Sequence, residues 1–273
     1  AVVNGRISSR AFRRYQWVRR WTPSLLGCIE LCLMQSQTDA DRIVALGARP
    51  DRVHVVGSLK WDASLSARPS HDALQAIAGQ IGLTGRELIV VAGSTHRGEE
   101  QTVLEAFCAL RAAGHPLRLI LAPRHLERLS EVEALIRRSG LVPARLSQSG
   151  GDWDVGLVDT LGQLPQYYGL ADIAFVGGSL IPHGGQNPLE PASLGKPVIF
   201  GPSMQNFSDI AHQLITYQAA QQVPGAAELT QSLHDLLSDR RLAMAMGRRA
   251  QELVEKSRGT TRRTLELLAP LLH

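Results

Sequence analysis

Cysteine is scarce: the 273 residues hold only Cys28, Cys32 and Cys108, too few and too unevenly spaced for a disulfide framework or a four-ligand zinc site. They read as buried free thiols of a reducing compartment. Long apolar runs are missing as well. The most apolar stretch, Leu25 to Met34, is broken by Glu30 and falls well short of the ~20 residues that span a bilayer, and no signal-peptide pattern is present. The sequence has no Gly-x-Ser-x-Gly elbow, no P-loop, no internal repeat and no low-complexity segment, which disfavours a serine hydrolase and a P-loop enzyme. Acidic residues are missing before Glu30, whereas Arg6, Arg10, Arg13, Arg14, Arg19 and Arg20 all precede it. The formal charge of +4 therefore belongs to one end, and the rest of the chain is slightly acidic. Such a distribution argues against a general nucleic-acid binder.

What is present is a chain with 44% hydrophobic residues, enough for a sizeable core and a length that fits about two domains. Short β-branched runs (Val53 to Val56, Leu88 to Val91, Leu117 to Leu121, Val155 to Val158, Ile173 to Val176, Pro197 to Phe200) read as buried strands. Between the later ones, Glu99 to Ala113, Leu126 to Ser139, Gly162 to Leu170, Pro188 to Gly195 and Phe207 to Ile215 read as helices. A βαβ series of this kind predicts an α/β fold with a doubly wound parallel sheet. The Pro/Ser-rich stretch Ser64 to Ser70 is the candidate interdomain linker. Before it, strand-like Val2-Val3, a basic helix, strand-like Leu31 to Met34 and a helix over Asp39 to Leu46 look like the last third of a second α/β domain that begins upstream. From Ala226 the chain reads as helical, with Leu229, Leu233, Leu236 and Leu237 on one face and a final helix over Thr260 to Leu272. The expected division is 1–63, 64–258 and a C-terminal helix, 259–273.

In an open parallel sheet ligands bind outside the carboxyl ends of the strands. Those positions hold Gly57-Ser58-Leu59-Lys60, Gly93-Ser94-Thr95-His96, Pro123-Arg124-His125, Asp159-Thr160-Leu161-Gly162-Gln163 and Gly177-Gly178-Ser179. Small, hydroxylated and cationic residues recurring on one rim point to a crevice for an anionic ligand. Asn187-Pro188-Leu189-Glu190 has the form of a capping box: asparagine at the cap, proline at the first helical position, glutamate three residues after the cap. Capping alone explains those choices. Yet the glycine-rich loop before it, Gly177-Gly178 through Gly184-Gly185, suggests that a ligand sits against that helix start, with a carboxylate for ribose hydroxyls. The pairs Asp39/Asp41 and Asp152/Asp154 match a metal-binding pattern by chance spacing, and His96 and His125 lack a partner at ligand spacing, so no metal and no cofactor are expected. The stretch from Arg10 to Trp21 mixes arginines with Phe12, Tyr15, Trp17 and Trp21, either as a solvated helix with an aromatic packed inward or as a patch facing anionic lipid.

Six stretches in order, Asn4 to Ser8, Gly57 to Asp62, Gly93 to Glu100, Pro123 to Arg128, Ala171 to Ser179 and Asn187 to Ala192, give the whole chain its resemblance to the C-terminal part of the 3-deoxy-D-manno-octulosonic acid (Kdo) transferases. The resemblance implies a GT-B architecture of two Rossmann-like domains. It implies inverting, metal-independent transfer of Kdo from CMP-Kdo to the lipid A precursor (lipid IVA) at the cytoplasmic face of the inner membrane. It also implies a truncated chain: the membrane anchor, most of the acceptor domain and the general-base glutamate lie upstream of Ala1, so these residues alone are expected not to transfer sugar. By the same resemblance Pro123 and Arg124 contact CMP, Leu161-Gly162-Gln163 form the loop beside the nucleotide, and Asn187, Pro188, Leu189 and Glu190 meet its phosphate and ribose. Lys60 matches a lysine that stabilises the transition state, in keeping with charge building on a departing phosphate. Two positions depart from the family pattern: Gln163 stands where glutamate is usual and Gln186 where histidine is usual. The competing readings are another GT-B enzyme that uses a UDP-sugar, as transferase or epimerase, and a nucleotide-sugar-binding module without catalysis.

Overall fold

The computed structural model describes residues 1–18, 20–63, 69–148 and 151–271. The candidate linker therefore lies, over 64–68, outside the described residues, as does the expected end of the last helix at Leu272. By its contacts the chain divides into two compact units, Ala1–Ser66 with Lys256–His273, and Ala67–Glu255.

The first unit is built on a parallel sheet of β1 (Val2–Gly5), β2 (Cys32–Met34) and β3 (Val53–Val55), in that order. Side chains alternate along a strand, and β2 shows what that does here. Cys32 and Met34 pack with Ile43, Leu46 and Phe12 on one face, while Leu33 packs with Val56, Leu267 and Leu268 on the other. The helix Thr260–Leu268 thus belongs to this unit; the Asp62 carboxylate caps its start, accepting from the amides of Gly259 (2.9 Å) and Thr261 (2.6 Å). The helix Gln37–Ala45 is capped by Ser36, whose hydroxyl accepts from the Asp39 amide. Asp39 itself is buried and accepts from the Ile7 amide (2.7 Å) and the Ser36 hydroxyl (2.6 Å), which makes it a structural residue. The thiols differ from expectation: only Cys32 is buried, Cys108 is half-buried, and Cys28 is exposed at the end of the helix Thr22–Gly27, where its Sγ bonds the Ser24 carbonyl.

Among the described residues the second unit holds seven parallel strands: β4 (Leu88–Thr95), β5 (Leu117–Pro123), β6 (Pro143–Arg145), β7 (Val155–Leu157), β8 (Ile173–Val176), β9 (Val198–Phe200) and β10 (Ala220–Gln222). Their order is β10-β9-β8-β4-β5-β7-β6. Alternate residues of β4 feed two cores. Val90 and Ala92 meet the helices Glu99–Ala112, Leu129–Arg138 and Ala226–Ser238 through Phe107, Ile136, Leu229 and Leu233. Ile89 and Val91 meet Ile81, Trp153, Tyr167 and Tyr168 on the opposite face. A sheet buried on both faces explains the continuous apolar runs of its central strands. The edge strands β6 and β10 escaped the sequence reading because they read Pro-Ala-Arg and Ala-Gln-Gln, with pairing on one side only. The helix His71–Gln80 escaped it too, having no fully buried side chain. Asp152 and Asp154 serve the fold: Asp152 pairs with Arg118 at 2.8 Å, and Asp154 pairs with Arg111 and accepts from the Val142 amide at 2.8 Å.

Candidate functional site

Strand order reverses between β4 and β8, since β5 follows on one side of β4 and β8 to β10 lie on the other. Ligands of doubly wound sheets bind at such a switch point, outside the carboxyl ends. Three features open it here. Gly177 follows β8, and a Cβ there would stand 2.5 Å from the Ser94 carbonyl oxygen and 2.6 Å from Thr95 Cα, so only glycine lets the two strand ends close up. Ser94 holds a left-handed backbone, φ 55°, at an irregularity of β4, a conformation that is costly for a non-glycine residue and typical of functional sites. Beside it lies a cleft of about 100 Å³ lined by Ser94, Pro123, Arg124, Thr160, Leu161 and Gly162, among others. The Thr160 hydroxyl is buried without a hydrogen-bond partner in the protein, and so is that of Thr95; buried hydroxyls rarely stay unpaired.

Arg124 extends from the end of β5 into solvent, its backbone amide tied to the Thr95 carbonyl (2.9 Å), while its guanidinium makes no hydrogen bond or ion pair among the described residues. Glu190 is the nearby counter-group. Burial raises its pKa, against the hydrogen bond from Asn187 and the positive charge of Arg124. The carboxyl of Glu190 accepts from the Asn187 side-chain amide at 3.1 Å, and Asn187 Oδ1 accepts from the Leu189 amide at 3.1 Å. This corrects the expected capping box. Pro188, not Asn187, holds the cap position of a helix that runs only over Leu189–Ser193, and Glu190 meets the Asn187 side chain rather than its backbone. Leu161 is 80% exposed beside the cleft, and Gly162 turns the loop with φ 80°. Gln163 Oε1 accepts from the Tyr167 hydroxyl at 3.3 Å. Pro123, Arg124, Leu161 and Gly162 thus line one cleft, with Glu190 within electrostatic reach of Arg124. Lys60 belongs to the first unit, exposed at the start of the short helix Lys60–Ala63.

The glycine-rich loop also departs from expectation. Its amides at Gly178 (2.7 Å), Ser179 (2.9 Å) and Leu180 (2.9 Å) all donate to the Glu99 carboxylate, which accepts from the His96 amide as well (2.9 Å). A side chain, rather than an open seat for a ligand, fills that backbone concavity. Sequence reading missed Glu99 because an acid in the first turn of a helix is explained by the helix dipole alone; its one distinguishing mark is 1% exposure. The Ser179 hydroxyl further ties the loop, donating to the Val176 carbonyl (2.5 Å) and accepting from the Gly201 amide (2.8 Å). Glu100, equally buried, forms a two-pronged ion pair with Arg128 at 2.7 and 3.3 Å.

Three histidines border the loop. His96 lies edge-on to His125 and 3.9 Å, centroid to centroid, from His183, and its Nε2 is 3.1 Å from Gln186 Nε2. Burial, with the neighbouring His183 and His125, pushes its pKa down to about 4, so it is a neutral hydrogen-bonding ring at pH 7. Among the described residues no group of three or more His, Cys, Asp or Glu side chains is placed to hold a metal ion.

An all-parallel doubly wound unit with this rim, in one chain with a second parallel α/β unit, has the GT-B glycosyltransferase fold. Residues 1–63 match the family described as 3-Deoxy-D-manno-octulosonic-acid transferase (kdotransferase). The C-terminal CMP-Kdo binding domain of WaaA from Acinetobacter baumannii is similar in structure, with a TM-score of 0.63 and 30% identity over 67% of this chain and 96% of that one. The 3-deoxy-D-manno-octulosonic acid transferase of Haemophilus influenzae is 32% identical over 100% of this chain and 64% of its own length. That of Bordetella pertussis is 37% identical over 98% of this chain and 63% of its own. The chain belongs to the Kdo transferase family. It spans somewhat less than two thirds of the length of those two curated relatives.

Proposed function

We propose that the second unit is the donor-binding part of a glycosyltransferase that moves Kdo from CMP-Kdo to a hydroxyl of the lipid A precursor. The observation that carries this is the guanidinium of Arg124, without a hydrogen bond or ion pair among the described residues, beside Glu190 at the switch point, in a chain similar over 67% of its length to a CMP-Kdo binding domain. In the proposed reaction the acceptor hydroxyl gives its proton to a general base and attacks the anomeric carbon of Kdo with inversion as the bond between Kdo and phosphate breaks, and CMP leaves. Arg124 takes the charge that builds on the leaving phosphate, Glu190 accepts from ribose hydroxyls, and Pro123, Leu161, Gly162 and Gln163 border the nucleotide. Asn187, Pro188 and Leu189 hold Glu190 in place. Lys60 is proposed to stabilise the transition state. In this reading metal is not required, because the cationic side chains of Arg124 and Lys60 supply the electrostatic stabilisation.

The lipid acceptor and the cytoplasmic surface of the inner membrane are proposed as the further partners. Phe12 packs inward against the first unit's core, while Trp17 and Trp21 are exposed on a segment that also carries Arg10, Arg13, Arg14 and Arg20. Aromatic and basic residues together favour an anionic lipid interface. No helix among the described residues is long and apolar enough to cross a membrane.

Calorimetric titration of the chain with CMP and with UDP tests the donor reading. CMP is expected to bind more tightly, and Arg124→Ala to weaken it by roughly tenfold or more through loss of a charge-assisted contact. Equal affinity for UDP would favour a UDP-sugar enzyme, and unchanged CMP binding by Arg124→Ala would remove Arg124 from the site.

A further inference from the structure

The loop after β8 has the shape of an anion seat, successive backbone N–H groups converging on one point, and Glu99 supplies the anion from within the chain. The four donors come from both sides of the switch point. His96 belongs to the loop after β4, and Gly178, Ser179 and Leu180 belong to the loop after β8. One carboxylate therefore locks together the segments on the two sides of the switch point, one of which, through Ser94, lines the cleft. Gly178, with φ 64°, aims its amide into the same point. A negative charge fixed there also acts on whatever binds next to it. It repels a second anion from the N–H cluster, and Arg124, with no hydrogen bond or ion pair among the described residues and only the electrostatic influence of Glu190, is the cation of this rim left to meet one.

We propose that Glu99 is a positioning and specificity-determining residue of the donor site. It holds the loops after β4 and β8 in register and closes the Gly178–Leu180 amides to the nucleotide's phosphate, which is thereby directed to Arg124. The inference rests on the reading of the crevice as a nucleotide site. It assigns the glycine-rich loop a role opposite to that of a phosphate cradle: the loop is preassembled around an internal anion and presents its outer side to the ligand.

The test compares the chain with Glu99→Ala and Glu99→Gln by CMP titration and thermal melting, in excess sodium formate and in equal sodium chloride. Glu99→Ala is expected to lose roughly tenfold or more in CMP affinity, because four amides lose their shared acceptor and the loops after β4 and β8 are no longer held in register. Formate, the smallest carboxylate, should restore most of that loss and raise the melting temperature of Glu99→Ala while leaving the unmodified chain unmoved. Glu99→Gln fills the same space but turns an NH2 toward N–H donors, so it should bind CMP weakly without formate rescue. CMP affinity unchanged in both variants overturns the inference, as does a loss in Glu99→Ala that formate restores in neither affinity nor melting. Should Glu99→Ala not fold, hydrogen exchange of the ligand-free unmodified chain decides: slow exchange at Gly178, Ser179 and Leu180 supports the internal anion, and rapid exchange overturns it. Failure of the unmodified chain to bind CMP overturns the nucleotide reading alone, and the formate-dependent melting of Glu99→Ala then still judges Glu99.

Discussion

Acidification is expected to destabilise the chain through His96 in a window set by its burial. In the unfolded chain the imidazole titrates near 6.5, and in the folded chain it does so at about 4, because burial and the neighbouring His183 and His125 disfavour the imidazolium. Between those two values the unfolded state binds the extra proton, so stability is full above pH 6.5 and falls as the pH drops toward 4. At about 1.4 kcal/mol per pH unit the total comes to about 3 kcal/mol, a large share of the stability of an ordinary domain. The perturbation is His96→Gln, which keeps a hydrogen-bonding group facing Gln186 but has no proton to gain. Urea unfolding of both proteins at half-unit steps from pH 7.5 to 4.5 measures the difference. The carboxylates that also titrate in this range are common to both and cancel in the comparison. The unmodified chain should lose stability more steeply than His96→Gln, with the gap opening below pH 6.5. Parallel curves would refute the reasoning, showing that His96 takes up its proton in the folded state without penalty.

Glu100→Ala leaves the half-buried Arg128 guanidinium with only its 3.3 Å contact to Glu131 and is expected to cost about 1–3 kcal/mol in urea unfolding; Glu100→Leu combined with Arg128→Met should recover most of it. Gly93→Ala places a methyl group on the hydroxyl of the fully buried Tyr168, an overpacking expected to lower stability by about 1–3 kcal/mol, read from the same unfolding curves. Ser94→Gly relieves the left-handed backbone at φ 55° and should leave the chain as stable or up to about 1 kcal/mol more so while weakening CMP binding. Replacing Trp17 and Trp21 with alanine should reduce sedimentation with vesicles containing anionic lipid and leave CMP affinity unchanged; full retention on the vesicles would count against the membrane-facing reading of that segment.

The central strands were legible because burial on both faces writes unbroken apolar runs, as in Leu88 to Val91 and Ile173 to Val176. Arg124 and the small residues after each strand were legible for a topological reason, since a parallel sheet sends every carboxyl end to one rim. Edge strands were not, because Pro143–Arg145 and Ala220–Gln222 are paired on one side and need no apolar alternation. Nor was the use of the glycine-rich loop. Glycine pattern announces that backbone amides will converge, but it is silent on whether a ligand or a side chain from elsewhere meets them. Glu99 stands 79 positions before Gly178, and nothing local links the two. The aspartate pairs show the converse, since a spacing that suggests metal is explained once Asp154 is seen bridging Arg111 and the Val142 amide.

The pairing of β4 with β8, Val90 with Ile173 through Gly93 with Val176, carries a kinetic consequence. Local contacts can assemble β4, the helix Glu99–Ala112 and β5 early, because they adjoin in sequence, whereas β8 must return across β5 to β7 before it can dock. Pairings of such long separation form slowly. Until that strand arrives, the amides that receive Glu99 are elsewhere, Gly177 has not met Ser94, and the rim has only one wall. Competence to bind a ligand should therefore arise in the last phase of refolding, after most of the helical signal has returned, which makes the crevice a reporter of completed folding in this unit.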